Sequence, residues 1–274
     1  MQRSRILTHA AVLALLAGLG ACSSDNTVAP ATSSLLNDQL VNNDVAVSSG
    51  DAIVTDIGQM VANEVFAGMA PAASFDLFGS PLGLNVSRSK TCYDQNDQVQ
   101  AQCNDTTTSY IVFHLQLDGS FSGAFTGPEG TDTMSAVVHR LRDLTISGLL
   151  GHETSRTHDG VGSAHDTTDF VGIHETRTLR RHKDENALDS VISVVFDLPH
   201  ASNPWPVSGK IVRYVDGTVS LQVNDSTWTR SFNRRVEVDF PPDNQANVTL
   251  TITYGSTTKT CLLNLVTRRV TGCQ

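Results

Sequence analysis

Apolar and polar residues alternate with a period of two along most of the chain from about Leu82 onward. One face of the clearest segment carries Val248, Leu250, Ile252 and Tyr254, and the other carries Asn and Thr. The same alternation recurs at Val236, Val238 and Phe240. Half-buried strands of a sheet have this pattern and this β-branched composition, so both segments are predicted strands.

Turn-forming residues divide the remaining alternating segments. Further strands are predicted near 109–117, 120–126, 133–147, 150–158, 168–179, 188–197 and 226–234. The dipeptide Asp216-Gly217 is typical of a two-residue hairpin loop. That turn would set Tyr214 opposite Val219 and Val212 opposite Leu221, with all four side chains on one face.

One amphipathic helix is predicted to begin near Asp51 and to end before Pro71. Either Ser49 or Asp51 can cap its start. Its apolar stripe recurs at steps of three and four residues and consists of Ile53, Val54, Ile57, Met60, Val61 and Val65. Such a stripe is typical of a helix that packs on a sheet.

These elements predict a mainly β fold, namely a curved antiparallel meander sheet or open barrel packed on one N-terminal helix. Consecutive strands joined by short turns favour a meander, and its single apolar face must be covered. We expect the sheet to wrap around the helix at 51–69. The architecture resembles that of the open-barrel lipid carriers of the cell envelope, although no motif of theirs is present.

Residues 1–21 have the pattern of an export signal, with Arg3 and Arg5 before an apolar run that is too short to span a membrane. The run leads into Leu19-Gly20-Ala21-Cys22, which resembles the lipobox of bacterial lipoproteins. The resemblance implies lipidation of Cys22 by the lipoprotein processing and sorting machinery, and so a membrane partner through the lipid anchor. Because Ser23 rather than Asp follows Cys22, it implies the outer membrane of a bacterial envelope.

Residues 22–50 are rich in Ser, Asn, Asp and Ala, and we expect a flexible tether there, with an ordered strand at 40–47 as the alternative. Residues 51–274 then form a single β-rich domain. Without the signal, 17 of the 19 Lys and Arg remain against 28 Asp and Glu, so the net charge is −11. That charge argues against nucleic acid, and against anionic headgroups, as partners of the domain as a whole.

Four cysteines remain besides Cys22. An even number in an exported chain favours disulfides, and two close pairs bracket turn-forming segments. We predict the disulfides Cys92–Cys103 and Cys261–Cys273. A four-thiolate zinc site is the alternative, but zinc ligands are usually more closely spaced.

Seven of the nine histidines lie between His139 and His200, where a short repeat places His-Glu-Thr at residues 152 and 174. If Gly160 to Ala164 form a turn, His152 and His174 lie side by side on neighbouring strands, as weak metal-ligand candidates. The spacing matches no metal motif, so cross-strand polar pairs are the preferred interpretation, with a pH-sensitive charge on that face. No cofactor is predicted.

Two further features are candidate binding sites. Asp94, Asn96 and Asp97 have calcium-binding side chains, but the cluster lacks an EF-hand pattern and favours a side-chain-capped turn. Trp205 stands between two prolines, where it either lines a ligand mouth or plugs one end of the β core; we expect the plug.

No motif for a catalytic nucleophile or a phosphate loop is present in the sequence. Three hypotheses remain. The first is a non-enzymatic envelope lipoprotein that binds an apolar ligand or an envelope protein. The second is a surface interaction or structural module without a ligand cavity. The third is a metal-dependent enzyme that uses a His-rich sheet face.

Overall fold

The computed structural model describes residues 33–68, 84–127, 130–174, 177–199, 205–243 and 245–274. One helix, α1 (Ser33–Ala67), precedes all the strands. The strands are β1 (Leu84–Tyr93), β2 (Val99–Gln100), β3 (Tyr110–Gly127), β4 (Gly130–Ser147), β5 (Ser155–His174), β6 (Arg177–Asp197), β7 (Ser208–Val223), β8 (Ser226–Asp239), β9 (Asn247–Tyr254), β10 (Thr257–Asn264) and β11 (Arg269–Thr271).

All the strands form one open, curved antiparallel sheet, in the order β11-β10-β9-β8-β7-β6-β5-β4-β3-β1-β2. Apart from the position of the short β2, neighbours in the chain are neighbours in the sheet, as a meander requires. The predicted fold class, a mainly β meander packed on one N-terminal helix, is therefore confirmed.

The central strands are long, and their two ends differ. At the hairpin end, the turns β3–β4, β5–β6 and β7–β8 are short; at the loop end, the longer connections 94–109, 148–154, 198–207 and 240–246 join the strands. Because β3 to β6 have 18 to 21 residues each, at about 3.3 Å per residue they extend roughly 60 Å or more.

The hairpin predicted at Asp216-Gly217 is wrong, because both residues lie in the middle of β7, paired with β6 and β8. A Cβ on Gly217 would lie 2.1 Å from the carbonyl oxygen of Asp184 on the neighbouring strand. The glycine therefore permits close packing of two strands rather than a turn. Tyr214 pairs with Leu188 and Arg235, not with Val219.

Other strand boundaries also differ from the prediction, because residues that were expected to form turns lie inside long strands. The segments expected at 109–117 and 120–126 are one strand, β3, and the turn expected at Gly160 to Ala164 lies inside β5. Gly160 sits instead at a bulge, where the register between β5 and β6 shifts.

Helix α1 begins at Ser33, well before the start predicted near Asp51. The predicted tether is therefore wrong for residues 33–50, and residues 40–47 form helix rather than strand; residues 22–32, Cys22 among them, lie outside the described residues. Val41, Val45 and Ala46 are buried in this early half. The helix ends at Ala67, and Pro71 also lies outside the described residues.

The sheet curls around α1, so that the helix lies in the main hydrophobic core. Of its predicted stripe, Ile53, Val54, Ile57, Met60 and Val61 are buried among sheet residues; the side chain of Val65 is outside the described set. At Gly50 the far edge of the sheet closes onto the helix, because an added Cβ would lie 2.7 Å from Val270 and 3.2 Å from Leu263.

Both predicted disulfides are present, Cys92–Cys103 with a Cα separation of 5.4 Å and Cys261–Cys273 with one of 4.1 Å. The first joins β1 to the connection that follows it, and the second joins β10 to the residues after β11. Cys92 and Cys261 are buried in the core cluster. The disulfides therefore hold both margins of the sheet against the core.

Candidate functional site

The contact between α1 and the central sheet is ionic as well as apolar. Nη2 of Arg142 on β4 lies 2.6 Å from both carboxylate oxygens of Asp56 on the helix. The same nitrogen lies 2.9 Å from Asp189 on β6. Asp189 also accepts hydrogen bonds of 2.9 and 3.0 Å from Arg213 on β7. One continuous chain of charges thus links the helix to three strands.

The network continues toward the start of the helix through Glu185 on β6. Arg213 donates to Glu185 at 3.2 Å, and Lys183 forms an ion pair with the same carboxylate. Ser48 of the helix bridges the two strand residues, since it accepts from Lys183 at 2.9 Å and donates to Glu185 at 3.2 Å. Asp44, one turn earlier, pairs with Arg181 and Lys183.

The charges of this network balance. Its acidic members are Asp44, Asp56, Glu185 and Asp189, and its basic members are Arg142, Arg181, Lys183 and Arg213. Burial raises the pKa of Asp56 to about 6 against the attraction of Arg142, and the nearby Asp189 carboxylate adds to the rise. Although burial opposes it, attraction by Lys183 and Arg213 lowers the pKa of Glu185. The paired, buried charges fix the helix in the sheet.

A second buried pair lies farther along the helix. Nε2 of His158 on β5 lies 2.9 Å from Glu64, and both side chains are fully buried. The imidazole also meets the ring of Phe196 edge to face, with the centroids 5.3 Å apart. A His–Glu pair can transfer protons to solvent only if water reaches it. Because both side chains are fully buried, the pair has a packing role.

The outer, convex face of the sheet carries a different set of polar pairs. Three exposed histidines each contact an aspartate on the neighbouring strand: His114–Asp143 at 2.5 Å, His139–Asp118, and His182–Asp169 at 2.7 Å. His165, directly opposite His139, lies 2.9 Å from Asn186 and 3.7 Å from Asp184. The hydrogen bond from His139 lowers the pKa of Asp118.

These pairs correspond to the cross-strand interpretation of the His-rich segment. Within the described residues, no group of three or more His, Cys, Asp or Glu side chains is placed to hold a metal ion. Because the imidazoles are held by acceptors on neighbouring strands, the face is a ladder of hydrogen-bonded cross-strand contacts.

Apolar side chains interrupt this polar face near the middle of the central strands. Leu141, Leu188 and Tyr214 stand in one cross-strand row on β4, β6 and β7, with Ser163 between the first two. Val161 is diagonal to the row, on β5. These four residues, here called the outer apolar row, are between 43% and 63% exposed. Large exposed apolar side chains grouped on one face are typical of a protein contact surface.

Two clefts lie at the hairpin end. One, of about 390 Å³, is lined by small and hydroxyl-bearing residues of β3 and β4 together with Asp169 and Val171 of β5. The other, of about 290 Å³, shares those two residues and adds Arg180, Gln222 and Thr227. Neither lies between the helix and the middle of the sheet, which the core and the ion network occupy.

The predicted pairing of His152 and His174 is wrong. His152 lies in the loop before β5, and His174 is the last residue of that strand. The strand between them has 20 residues, so at about 3.3 Å per residue the two lie roughly 60 Å apart. The shared His-Glu-Thr sequence does not mark neighbouring positions in the fold.

Two other sequence predictions are met by the structure. Asp94 accepts hydrogen bonds from the backbone of Asn96 at 2.8 Å and Gln98 at 2.9 Å, as a capped turn requires. Trp205 is half-buried and packs against the core cluster, in keeping with a plug at the loop end. The two residues before it, Asn203 and Pro204, lie outside the described residues.

The sequence did not single out the outer apolar row. A signal was present, because Ala187-Leu188 and Tyr214-Val215 place apolar side chains at consecutive positions and so on both faces of a strand. Alternation alone, however, does not say which exposed positions from different strands meet.

Comparison with known proteins gives no relative to guide the assignment: no family model, no curated protein and no solved structure matches the chain. Within the described residues, no helix has both the length and the apolar character needed to span a membrane.

Proposed function

We propose that the protein is a lipid-anchored lipoprotein of the bacterial envelope and acts as a non-enzymatic interaction module through the outer face of its sheet. The lipobox-like Leu19-Gly20-Ala21-Cys22 supports the anchor. The observation that carries the rest is the buried ion network, which joins α1 to β4, β6 and β7 on the concave side. The convex side, which carries the outer apolar row, is then the surface available to bind a partner.

A filled interior favours this module over a carrier for an apolar ligand. A carrier needs an apolar cavity between sheet and helix. Here the same space holds a chain of three ionic contacts. Asp56 contacts Arg142, Arg142 contacts Asp189, and Asp189 contacts Arg213. Opening a cavity would separate buried charges, which is strongly unfavourable.

The chemistry of the face indicates what it contacts. The outer apolar row lies among carboxylates on the same face, including Asp118, Asp143, Asp184 and Asp216. A protein partner with apolar side chains set among Lys and Arg complements this arrangement. A second copy of the chain complements it less well: Arg235 lies beside Tyr214, but two such faces would bring the four carboxylates together.

Site-specific photocrosslinking in intact envelopes tests the proposal. A photoreactive phenylalanine replaces Leu188 in the outer apolar row, and in a matched control it replaces Leu262, which is similarly exposed on β10. We expect one defined adduct with another envelope protein from position 188 and none from position 262. Equal labelling at both positions, or an adduct only with itself, would contradict the assignment.

A second substitution links the adduct to the chemistry of the face. Tyr214→Asp adds a charge beside Leu188, and we expect it to abolish the adduct while the unfolding transition is retained. The control Leu262→Asp, on the outer face of β10, should leave the adduct intact.

A further inference from the structure

The two ends of the sheet differ in charge although the chain as a whole is acidic. At the hairpin end, the first seven residues of β6 (177–183) contain four Lys or Arg and no acid, and residues 226–235 of β8 contain three Arg and no acid. Arg180 and Arg230 are exposed there. The acidic residues described at the same end include Asp44, Asp132, Asp169 and Asp225. Of these cations, Arg181 and Lys183 pair with acidic residues inside the buried ion network, so the exposed positive charge on the β6 and β8 side comes from Arg180 and Arg230.

The loop end is acidic. The connection 94–109 contains Asp94, Asp97 and Asp105 and no Lys or Arg. Asp197, Asp239 and Asp243 stand at or beyond the ends of β6 and β8 on the same side. An anionic surface would attract the β6 and β8 side of the hairpin end and repel the loop end.

The helix leads the chain to the hairpin end. Asp44 contacts Arg181, Ser48 contacts Glu185, and farther along the helix the Asp56 pair reaches Asp189, so α1 runs beside β6 in the same direction. Extending the helix back from Asp44 to Ser33 at about 1.5 Å per residue covers roughly 16 Å. The strand from Arg181 back to the β5–β6 turn covers about 13 Å. The helix therefore begins near that turn.

The length of chain before the helix limits how far this end can lie from the anchor. Cys22 is 11 residues before Ser33, and at about 3.5 Å per residue a fully extended segment spans no more than about 40 Å. The central strands are longer than that. Anchoring at Cys22 thus places the hairpin end, and not the loop end, within reach of the bilayer.

We propose that the hairpin end docks on the anionic bilayer surface that holds the anchor, with the cleft beside Arg180 contacting lipid headgroups. Arg180, Gln222 and Thr227 stand in one cross-strand row and line the 290 Å³ cleft. A guanidinium beside an amide and a hydroxyl suits a headgroup phosphate. The cleft also contains Asp169, whose carboxylate pairs with His182. This inference rests on the lipid anchor of the proposed function, and it adds an orientation and a second membrane contact.

The two tryptophans are reporters at opposite ends. Trp228 lies on β8 opposite Leu221, near the hairpin end, whereas Trp205 precedes β7 at the loop end. The 14 residues of β7 from Ser208 to Leu221 separate them by roughly 45 Å at about 3.3 Å per residue. Trp205→Phe leaves only Trp228, and Trp228→Phe leaves only Trp205.

Energy transfer to a headgroup-labelled lipid measures which end faces the bilayer. The full lipidated protein, as either single-tryptophan variant, is reconstituted in phosphatidylethanolamine–phosphatidylglycerol vesicles that contain dansyl-phosphatidylethanolamine. We expect several-fold more transfer from Trp228 than from Trp205. Equal transfer, or more from Trp205, overturns the docking. A mass spectrum of the same sample reports the anchor separately, so an unlipidated Cys22 overturns the proposed function, and a lipidated protein with the wrong orientation overturns only this inference.

A charge reversal tests the headgroup contact itself. In the Trp205→Phe background, Arg180→Glu should lower transfer from Trp228 to the value found in purely zwitterionic vesicles. The control Arg269→Glu, an exposed arginine at the start of β11, should leave transfer unchanged. If Arg180→Glu and Arg269→Glu lower the transfer from Trp228 equally, or if neither lowers it, Arg180 does not contact the headgroups.

Discussion

Arg142 of β4 holds the carboxylate of Asp56 on α1 across 86 residues of sequence, with one guanidinium nitrogen 2.6 Å from each oxygen. Both side chains are about 95% buried. The pair joins the helix to the middle of the sheet, and Asp189 and Arg213 extend it across β6 and β7. The helix is therefore an integral part of the domain core.

Removing one cation from the network should destabilise the protein strongly. Arg213→Met keeps the volume but leaves Asp189 and Glu185 buried without their shared partner. We expect the free energy of unfolding to fall by about 3 to 5 kcal/mol. Urea denaturation followed by circular dichroism measures it. Arg269→Met, at an exposed arginine, is the control and should change it by less than about 0.5 kcal/mol.

Asp56 should give stability an unusual dependence on pH. Its pKa of about 6 in the folded protein exceeds the ordinary value of 3.8, so between these values the native state keeps a proton that the unfolded chain has lost. The stabilisation is complete below the lower value and is lost as the pH rises through the higher one. Relative to Asp56→Asn, the free energy of unfolding of the natural protein should fall by up to about 3 kcal/mol from pH 4 to pH 7. A difference that rises with pH contradicts this.

The two faces of β6 should respond differently to the same kind of truncation. Val191 is buried against the core, and Leu188 is exposed in the outer apolar row of the same strand. Val191→Ala should cost about 2 kcal/mol, whereas Leu188→Ala should cost well under 1 kcal/mol, although it removes more atoms. Chemical denaturation of the two variants gives both values. A larger loss of stability for Leu188→Ala than for Val191→Ala would mean that Leu188, and not Val191, faces the core.

The disulfide Cys261–Cys273 should stabilise the sheet margin. It closes a loop across 12 residues of sequence beside a core position. Replacing both cysteines by Ser should lower the free energy of unfolding by about 2 to 4 kcal/mol. The double variant and the natural protein should become equally stable once the natural protein is reduced at this disulfide. If the double variant is as stable as the natural protein with its disulfide intact, the disulfide does not stabilise this margin.

Local patterns were enough to predict the elements whose surroundings are simple. Val248, Leu250 and Ile252 are buried as their alternation predicted, because β9 has one apolar face. The disulfides followed from spacing within single loops. The second half of α1 followed from a stripe that packs on apolar side chains.

The remaining features depend on contacts distant in sequence. Asp44 and Ser48 made the early helix resemble a polar tether, yet they are polar because cations of β6 face them. Gly217 follows an Asp, as in a hairpin turn, but serves a close contact with Asp184. The outer apolar row exists only once Leu141, Leu188 and Tyr214 are brought into register.

Native mass spectrometry of the mature protein, extracted gently from the envelope, reports both the anchor and any bound ligand. We expect a polypeptide that begins at a lipidated Cys22, contains two disulfides and carries no further bound molecule, because helix α1 and its buried ion pairs lie on the concave side. An apolar ligand retained at one per protein would contradict the filled interior, and an unmodified amino terminus would contradict the anchor.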